Sequence, residues 1–310
     1  MRTLTPKDLD YPKSLKNIKN RPQELYFEGD IKCCNLPCIT VVGSRNMSEY
    51  GKNMTRKIVS ELVEAGVCIV SGLAVGIDTV AHETCLEKGG KTIAVLGSGL
   101  NKIFPTENID LYKRIISSGG CVMSEQMPDE PAQKIYFPAR NRIVSGLSLA
   151  TLVVEAAYRS GTSITAKCAL KQGKKVFCIP NSVGSKNSTG TINLIKKGAT
   201  LITDGRDILC LIGLIDKPDD YDEFVERQKY NKIRIMQEEQ LYDLDYNAKK
   251  IFYYIKENGV IASEVMCYEL NMNIQDLNSY LTVLEIKGLI SSKSGGKYCL
   301  SDIFCVWFYN

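Results

Sequence analysis

Val67-Cys68-Ile69-Val70-Ser71-Gly72-Leu73-Ala74-Val75-Gly76-Ile77-Asp78 decides the fold. A short apolar run ends in serine and glycine, turns, and opens a helix-length segment. The run is apolar at every position rather than at alternate ones, as a strand covered on both faces requires. The unit recurs along the chain. Strands are expected at Cys38–Val42, Val67–Ser71, Thr92–Leu96, Cys121–Ser124, Ala150–Val154, Lys175–Ile179 and Thr200–Ile202. Helices are expected between them at Glu49–Ala65, Gly76–Lys88, Glu107–Ser117, Ser163–Gln172 and Gly190–Lys197. Alternation of this kind predicts an α/β fold with a doubly wound, mostly parallel sheet covered by helices on both faces.

Beyond residue 213 the pattern changes. Asp216-Lys217-Pro218-Asp219-Asp220-Tyr221-Asp222-Glu223 reads as solvated linker. Amphipathic stretches at Asn247–Asn258, Ala262–Glu269 and Ile274–Lys287 then precede a glycine-containing hairpin through Gly295-Gly296 and Lys297–Leu300. Three helices and a hairpin predict a small C-terminal winged-helix domain. The expected organisation is a short N-terminal extension (1–34), a doubly wound α/β domain (35–213), an acidic linker (214–244) and a winged-helix-like domain (245–310).

Composition narrows the chemistry. The 310 residues carry 39 basic and 35 acidic side chains, a net +4. That total hides 21 basic against 14 acidic residues over 35–213, and 5 against 10 over 214–245. His82 is the single histidine, so histidine-rich zinc sites are excluded and any histidine-dependent catalysis would have to use it. The 12 cysteines form no CxxC pair and sit mostly in apolar runs, where a thiol behaves as a small hydrophobe. No metal or cofactor is expected. No apolar run approaches the ~20 residues of a membrane span, and the N-terminus has no apolar signal region. The expected location is the cytoplasm, with no membrane contact.

In a doubly wound sheet, ligands bind at the carboxyl ends of the strands. The chain concentrates Gly, Ser and Arg there: Gly43-Ser44-Arg45, Ser71-Gly72, Gly97-Ser98-Gly99 and Ser160-Gly161-Thr162. None is a dinucleotide fingerprint or a P-loop, and each alone also suits a tight turn. Together they predict a rim of backbone N–H groups suited to phosphate. Tyr136-Phe137-Pro138-Ala139-Arg140-Asn141-Arg142 adds two aromatics and two arginines. Arginines two apart on a helix do not share a face. One can therefore reach the rim while the other pairs internally with Glu125 or Glu155. Asp78 and His82, four apart, share a face and could pair. Glu155 is the best-placed acid–base candidate. Lys175 starts a strand, which suits a place on the opposite rim.

These motifs, in order, resemble the DprA/Smf family. The resemblance is carried by Gly43-Ser44-Arg45, by Ser71-Gly72 with Ala74, Gly76-Ile77-Asp78 and Ala81-His82, and by Leu96-Gly97 with Gly99 and Phe104-Pro105. It continues through Ser124-Glu125, Phe137-Pro138 with Arg140-Asn141-Arg142, Val153-Val154-Glu155-Ala156, Ser160-Gly161-Thr162 and Asn193-Leu194-Ile195. It covers about residues 10–212 and departs from the family in two places. The small helical domain that often precedes the core is missing, and Phe104 stands where the family has tyrosine. The resemblance implies a non-enzymatic protein that binds single-stranded DNA, protects it in natural transformation and helps load the RecA recombinase. It also implies that residues 35–213 form an extended Rossmann-like domain and that the chain is a homodimer through it. Arg45 and 160–162 match the family's DNA pocket, Arg140 and Lys175 less closely. The candidate DNA-binding set is Gly43, Ser44, Arg45, Ser71, Gly72, Phe137, Arg140, Asn141, Arg142, Ser160, Gly161, Thr162 and Lys175. The rival reading is an enzyme like the lysine-decarboxylase-like nucleoside monophosphate phosphoribohydrolases. Their doubled-glycine loop is here Tyr158-Arg159-Ser160-Gly161-Thr162. The tail has no net charge, which suits protein binding or regulation as well as DNA.

Overall fold

A computed structural model describes residues 1–158, 160–228, 241 and 243–301. Arg159, positions 229–240 and 242 of the expected linker, and 302–310 of the expected tail domain lie outside the described residues. The chain divides into two compact units, Met1–Gln228 and Lys229–Asn310.

The first unit is built on a nine-stranded sheet. Its strands are β1 (Arg2–Leu4), β2 (Leu25–Gly29), β3 (Cys38–Val42), β4 (Cys68–Ser71), β5 (Thr92–Leu96), β6 (Cys121–Ser124), β7 (Ala150–Val153), β8 (Lys175–Cys178) and β9 (Thr200–Leu201). The order is β1-β2-β6-β5-β4-β3-β7-β8-β9. β3 to β9 pair parallel with one another. The chain winds from β3 toward β6, then returns to lay β7 against the other side of β3, pairing Ile39 with Ala150 and Val42 with Val153. The direction of winding therefore switches between β3 and β7.

The sequence reading starts the sheet at Cys38, but two strands precede it. β1 and β2 pair antiparallel, and β2 pairs antiparallel with β6. β2 buries Leu25 and Phe27 and leaves Tyr26 and Glu28 partly open. This period-2 pattern is the mark of an antiparallel strand, unlike the continuous runs of the parallel core. Residues 214–228 also join this unit. Ile215, Tyr221 and Val225 are buried, and the Tyr221 hydroxyl donates to the Glu61 carbonyl oxygen at 3.0 Å.

Helices cover both faces. α2 (Glu49–Glu64), α3 (Ile77–Glu87) and α8 (Gly205–Leu211) pack on Ile39, Val41, Ile69, Leu152 and Phe177. α4 (Ile109–Ser117) packs beside them on Ala94, Leu96 and Val122. α1 (Lys13–Lys16), α5 (Tyr136–Leu147), α6 (Gly161–Lys171) and α7 (Thr189–Lys196) pack on the other face, against Val42, Val70, Val95 and Val153. α2 shows why these segments are helical. Ser48 caps it by accepting from Gly51 N at 3.1 Å, and Thr55, Ile58, Val59 and Leu62 form a buried stripe. Each large apolar side chain in that stripe stabilises by about 1.5–3 kcal/mol. α5 starts two residues before Pro138, which sits in the first turn, where a missing N–H costs nothing.

The second unit packs helices Tyr246–Asn258, Ser263–Leu270 and Ile274–Ile286 around Ile251, Phe252, Leu277, Leu281 and Leu284. Strand Lys297–Leu300 lies between Ile261–Ala262 and Ile290–Lys293, all antiparallel. Ile261–Ala262 is a strand the sequence pattern does not signal, because two residues show no period.

Candidate nucleic-acid interface

A groove of about 610 Å³ opens at the carboxyl ends of the strands, at the β3/β7 switch. Loops after β3, β4 and β7, the first turns of α5 and α6, and the loop between β8 and α7 line it. Of the expected residues, Gly43, Ser44, Arg45, Gly72, Phe137, Arg140, Asn141, Ser160, Gly161 and Thr162 meet there.

They do not do the same work. Arg45 is exposed, and its guanidinium lies 5.8 Å from the centre of the Phe137 ring. Phe137 in turn lies 5.7 Å from Phe104, ring to ring, and covers Gly97 so closely that a Cβ there would meet it at 2.8 Å. Arg45 and Phe137 thus offer a cation and an aromatic face side by side. Gly161 and Thr162, the first residues of α6, line the same space at a positive helix end. The Thr162 hydroxyl is already spent, donating to Gly43 O at 2.9 Å.

Arg140 is part of the floor. Its side chain is buried and donates to Gly72 O at 2.8 Å and to Val95 O. Burial pulls this guanidinium down to about 10, although Asp78 opposes the shift. Asp78 is buried in turn, and its pKa is raised by desolvation despite Arg140 and the Gly72 N–H that it accepts at 3.0 Å. Arg140 therefore braces the loop after β4 under the groove.

Three expected residues do not join the groove. Ser71 is buried and donates to Val41 O at 2.6 Å. Arg142 projects from the other side of α5, pairs with Glu125 at 2.5 Å and donates to Asn20 O at 2.8 Å. Lys175 starts β8 at the opposite edge of the sheet, where its ammonium donates to Leu211 O at 2.5 Å. The reason is geometric. Strand starts and strand ends lie on opposite rims, and residues two apart on a helix diverge by more than a right angle.

The acid–base candidates are also structural. Glu155 is fully buried and accepts from Ser48 N at 2.9 Å, the Ser48 hydroxyl, Asn187 Nδ2 at 3.2 Å and Asn181 Nδ2 at 3.3 Å. It ties the start of α2 to the loop after β8. Asp78 and His82 do not pair. The Thr92 hydroxyl donates to Ile69 O, so it must accept from His82 Nδ1 at 2.7 Å. His82 Nε2 is buried without a partner. Burial lowers the histidine to about 3, holding it neutral.

The groove also has lining residues outside the predicted set, and two of them come from a loop that carries none of its motifs. Lys186 and Asn187 come from the loop between β8 and α7, and Lys186 is exposed. Their signal was available, since this loop also follows the carboxyl end of a strand. Among the described residues no group of three or more His, Cys, Asp or Glu side chains is placed to hold a metal. None of the described helices is long and apolar enough to cross a membrane.

The model of the DNA recombination-mediator protein A family matches residues 2–213. Protein Smf of Synechocystis is 36% identical over 95% of this chain and 79% of its own length. Protein Smf of Escherichia coli is 45% identical over 66% of this chain, which spans 55% of that protein. The X-ray structure of DNA processing protein A from Streptococcus pneumoniae superposes with a TM-score of 0.65 at 41% identity, over 67% of this chain and 73% of that one. The Helicobacter pylori protein, whose structure is described for its single-stranded DNA binding mode, gives 0.61 at 32% identity, over 68% and 95%. With a match of that extent and identities of that order, the chain belongs to the DNA recombination-mediator protein A family.

Proposed function

We propose that the groove binds single-stranded DNA, and that the chain acts as a recombination mediator rather than as an enzyme. The observation that carries this reading is the pairing of Arg45 with Phe137 on the rim. A cation for phosphate and a ring for a base stand side by side, the combination that single-strand binding uses. Lys186 and the open end of α6 extend the favourable field. Glu155 is buried beneath Ser48, Asn181 and Asn187, with its oxygens engaged by their donors, and this supports a non-catalytic role.

The strand so bound would be protected during transformation and passed to a RecA-type recombinase, with two copies joined through the first unit in the cytoplasm. The winged-helix reading of residues 245–310 belongs to the same proposal. Anisotropy titration with single- and double-stranded forms of one labelled oligonucleotide tests the core of it. Preference for the single strand, weakening as salt rises, supports it. Equal binding to both forms overturns it. Release of free base from a nucleoside monophosphate would favour the hydrolase reading instead.

A further inference from the structure

The groove has a neighbour. A second recess of about 250 Å³ lies beyond the Arg45–Phe137 ridge and shares Arg45, Gly72, Ala74, Phe137 and Arg140 with the main groove. Its remaining walls are Val75, Phe104, Pro105, Thr106 and Glu107. It is smaller than the roughly 300–1,000 Å³ of drug-sized sites, so it suits one ring system. Phe104 is 45% exposed although large and apolar. The segment that carries Phe104 and Glu107 is pinned, since Asn108 Nδ2 donates to Leu73 O and to the Thr79 hydroxyl, both at 2.9 Å. Glu107 is exposed and accepts from the Thr106 hydroxyl at 3.3 Å.

Arg45 and Arg140 line both spaces, and the charges that are not shared differ: Lys186 lines only the main groove and Glu107 only the second recess. A strand whose phosphates follow Arg45 and Lys186 turns a base rather than its backbone toward Glu107, because a carboxylate repels phosphate and only accepts hydrogen bonds. Of the pyrimidines, cytosine offers an amino group at its 4-position, which a carboxylate accepts, whereas uracil and thymine place a carbonyl oxygen there.

We propose that this recess is a base pocket on the strand's path, and that Glu107 makes it favour bases bearing an exocyclic amino group over uracil and thymine. The inference rests on the single-stranded DNA reading above. The test is competition anisotropy on the full chain with two oligonucleotides of equal length, all-deoxycytidine and all-deoxyuridine, which lack the thymine methyl as a confounding difference. Wild type should favour the cytidine strand by about fivefold, the low end for one base-edge contact. Glu107→Gln can both donate and accept, so it should bring the ratio close to one while binding the uridine strand at least as well. Phe104→Ala should weaken both strands. A wild-type ratio of one, or an unchanged ratio in Glu107→Gln, overturns the pocket and leaves the groove standing. Absence of binding to either strand overturns the underlying reading and this inference with it.

Discussion

Arg140→Ala should unfold the first unit more easily without removing a DNA contact. Arg140 donates to Gly72 O and Val95 O and is the buried cation nearest to Asp78. Truncation removes the bonds that Gly72 O and Val95 O accept from it and takes the countercharge from a buried carboxylate. Hydrogen bonds to a charged group contribute about 1.5–3 kcal/mol each. Breaking a buried charge pairing from one side costs about 3–5 kcal/mol. These terms overlap, so the expected loss is about 3–5 kcal/mol rather than their sum. A domain holds only about 5–15 kcal/mol in total. The assay is urea unfolding followed by circular dichroism, with the first unit fitted as its own transition because two compact units need not melt together. Single-strand affinity is measured in parallel, at a temperature where the variant stays folded, and should fall by less than about threefold. A stability loss under about 1 kcal/mol, with affinity down tenfold or more, would refute the reasoning and make Arg140 a ligand contact.

Three further outcomes follow from the same geometry. His82 binds fewer protons folded than unfolded between about pH 3 and its ordinary value of 6.5, so stability rises with pH across that window. Acidification from pH 7.5 to 5.5 should cost about 1.4 kcal/mol through this residue, and denaturant midpoints of wild type against His82→Gln read the difference. Gly76→Ala should both destabilise and weaken DNA binding. Its φ is +89°, and a Cβ would stand 2.4 Å from Ser44 O and 2.7 Å from Arg45 O, so the Arg45 loop must move; unchanged affinity in a folded variant would separate that loop from the site. Lys175→Ala should leave single-strand affinity within about twofold, since its ammonium serves Leu211 on the far rim; a tenfold loss would place DNA there too.

The parallel core could be read from the sequence because its strands are continuous apolar runs with Gly-rich ends. Cys38–Val42, Thr92–Leu96 and Cys121–Ser124 fall where that reading puts them. The edge was missed for the opposite reason. Leu25–Gly29 alternates, and Arg2–Leu4 is too short to show any period. The rim could be read loop by loop, but not the direction of individual side chains within it. Ser71 looks identical in sequence to a groove serine, yet its position inside the strand turns its hydroxyl to Val41 O. Arg140 and Arg142 are separated only by α5's rotation, which sends one under Gly72 and the other to Glu125. Lys186 sits in a loop without a motif, and its one signal is that the loop follows the carboxyl end of β8, which brings it to the groove.

The central claim is that the Arg45–Phe137 ridge holds a single strand. Titration of a labelled single strand against wild type and Arg45→Ala across a salt series tests it most directly. Losing one phosphate contact should lower affinity and make the log–log salt slope shallower by about 0.7, the increment per contact on single strands. An Arg45→Ala protein that is folded, binds as tightly as wild type and keeps the same slope would contradict it.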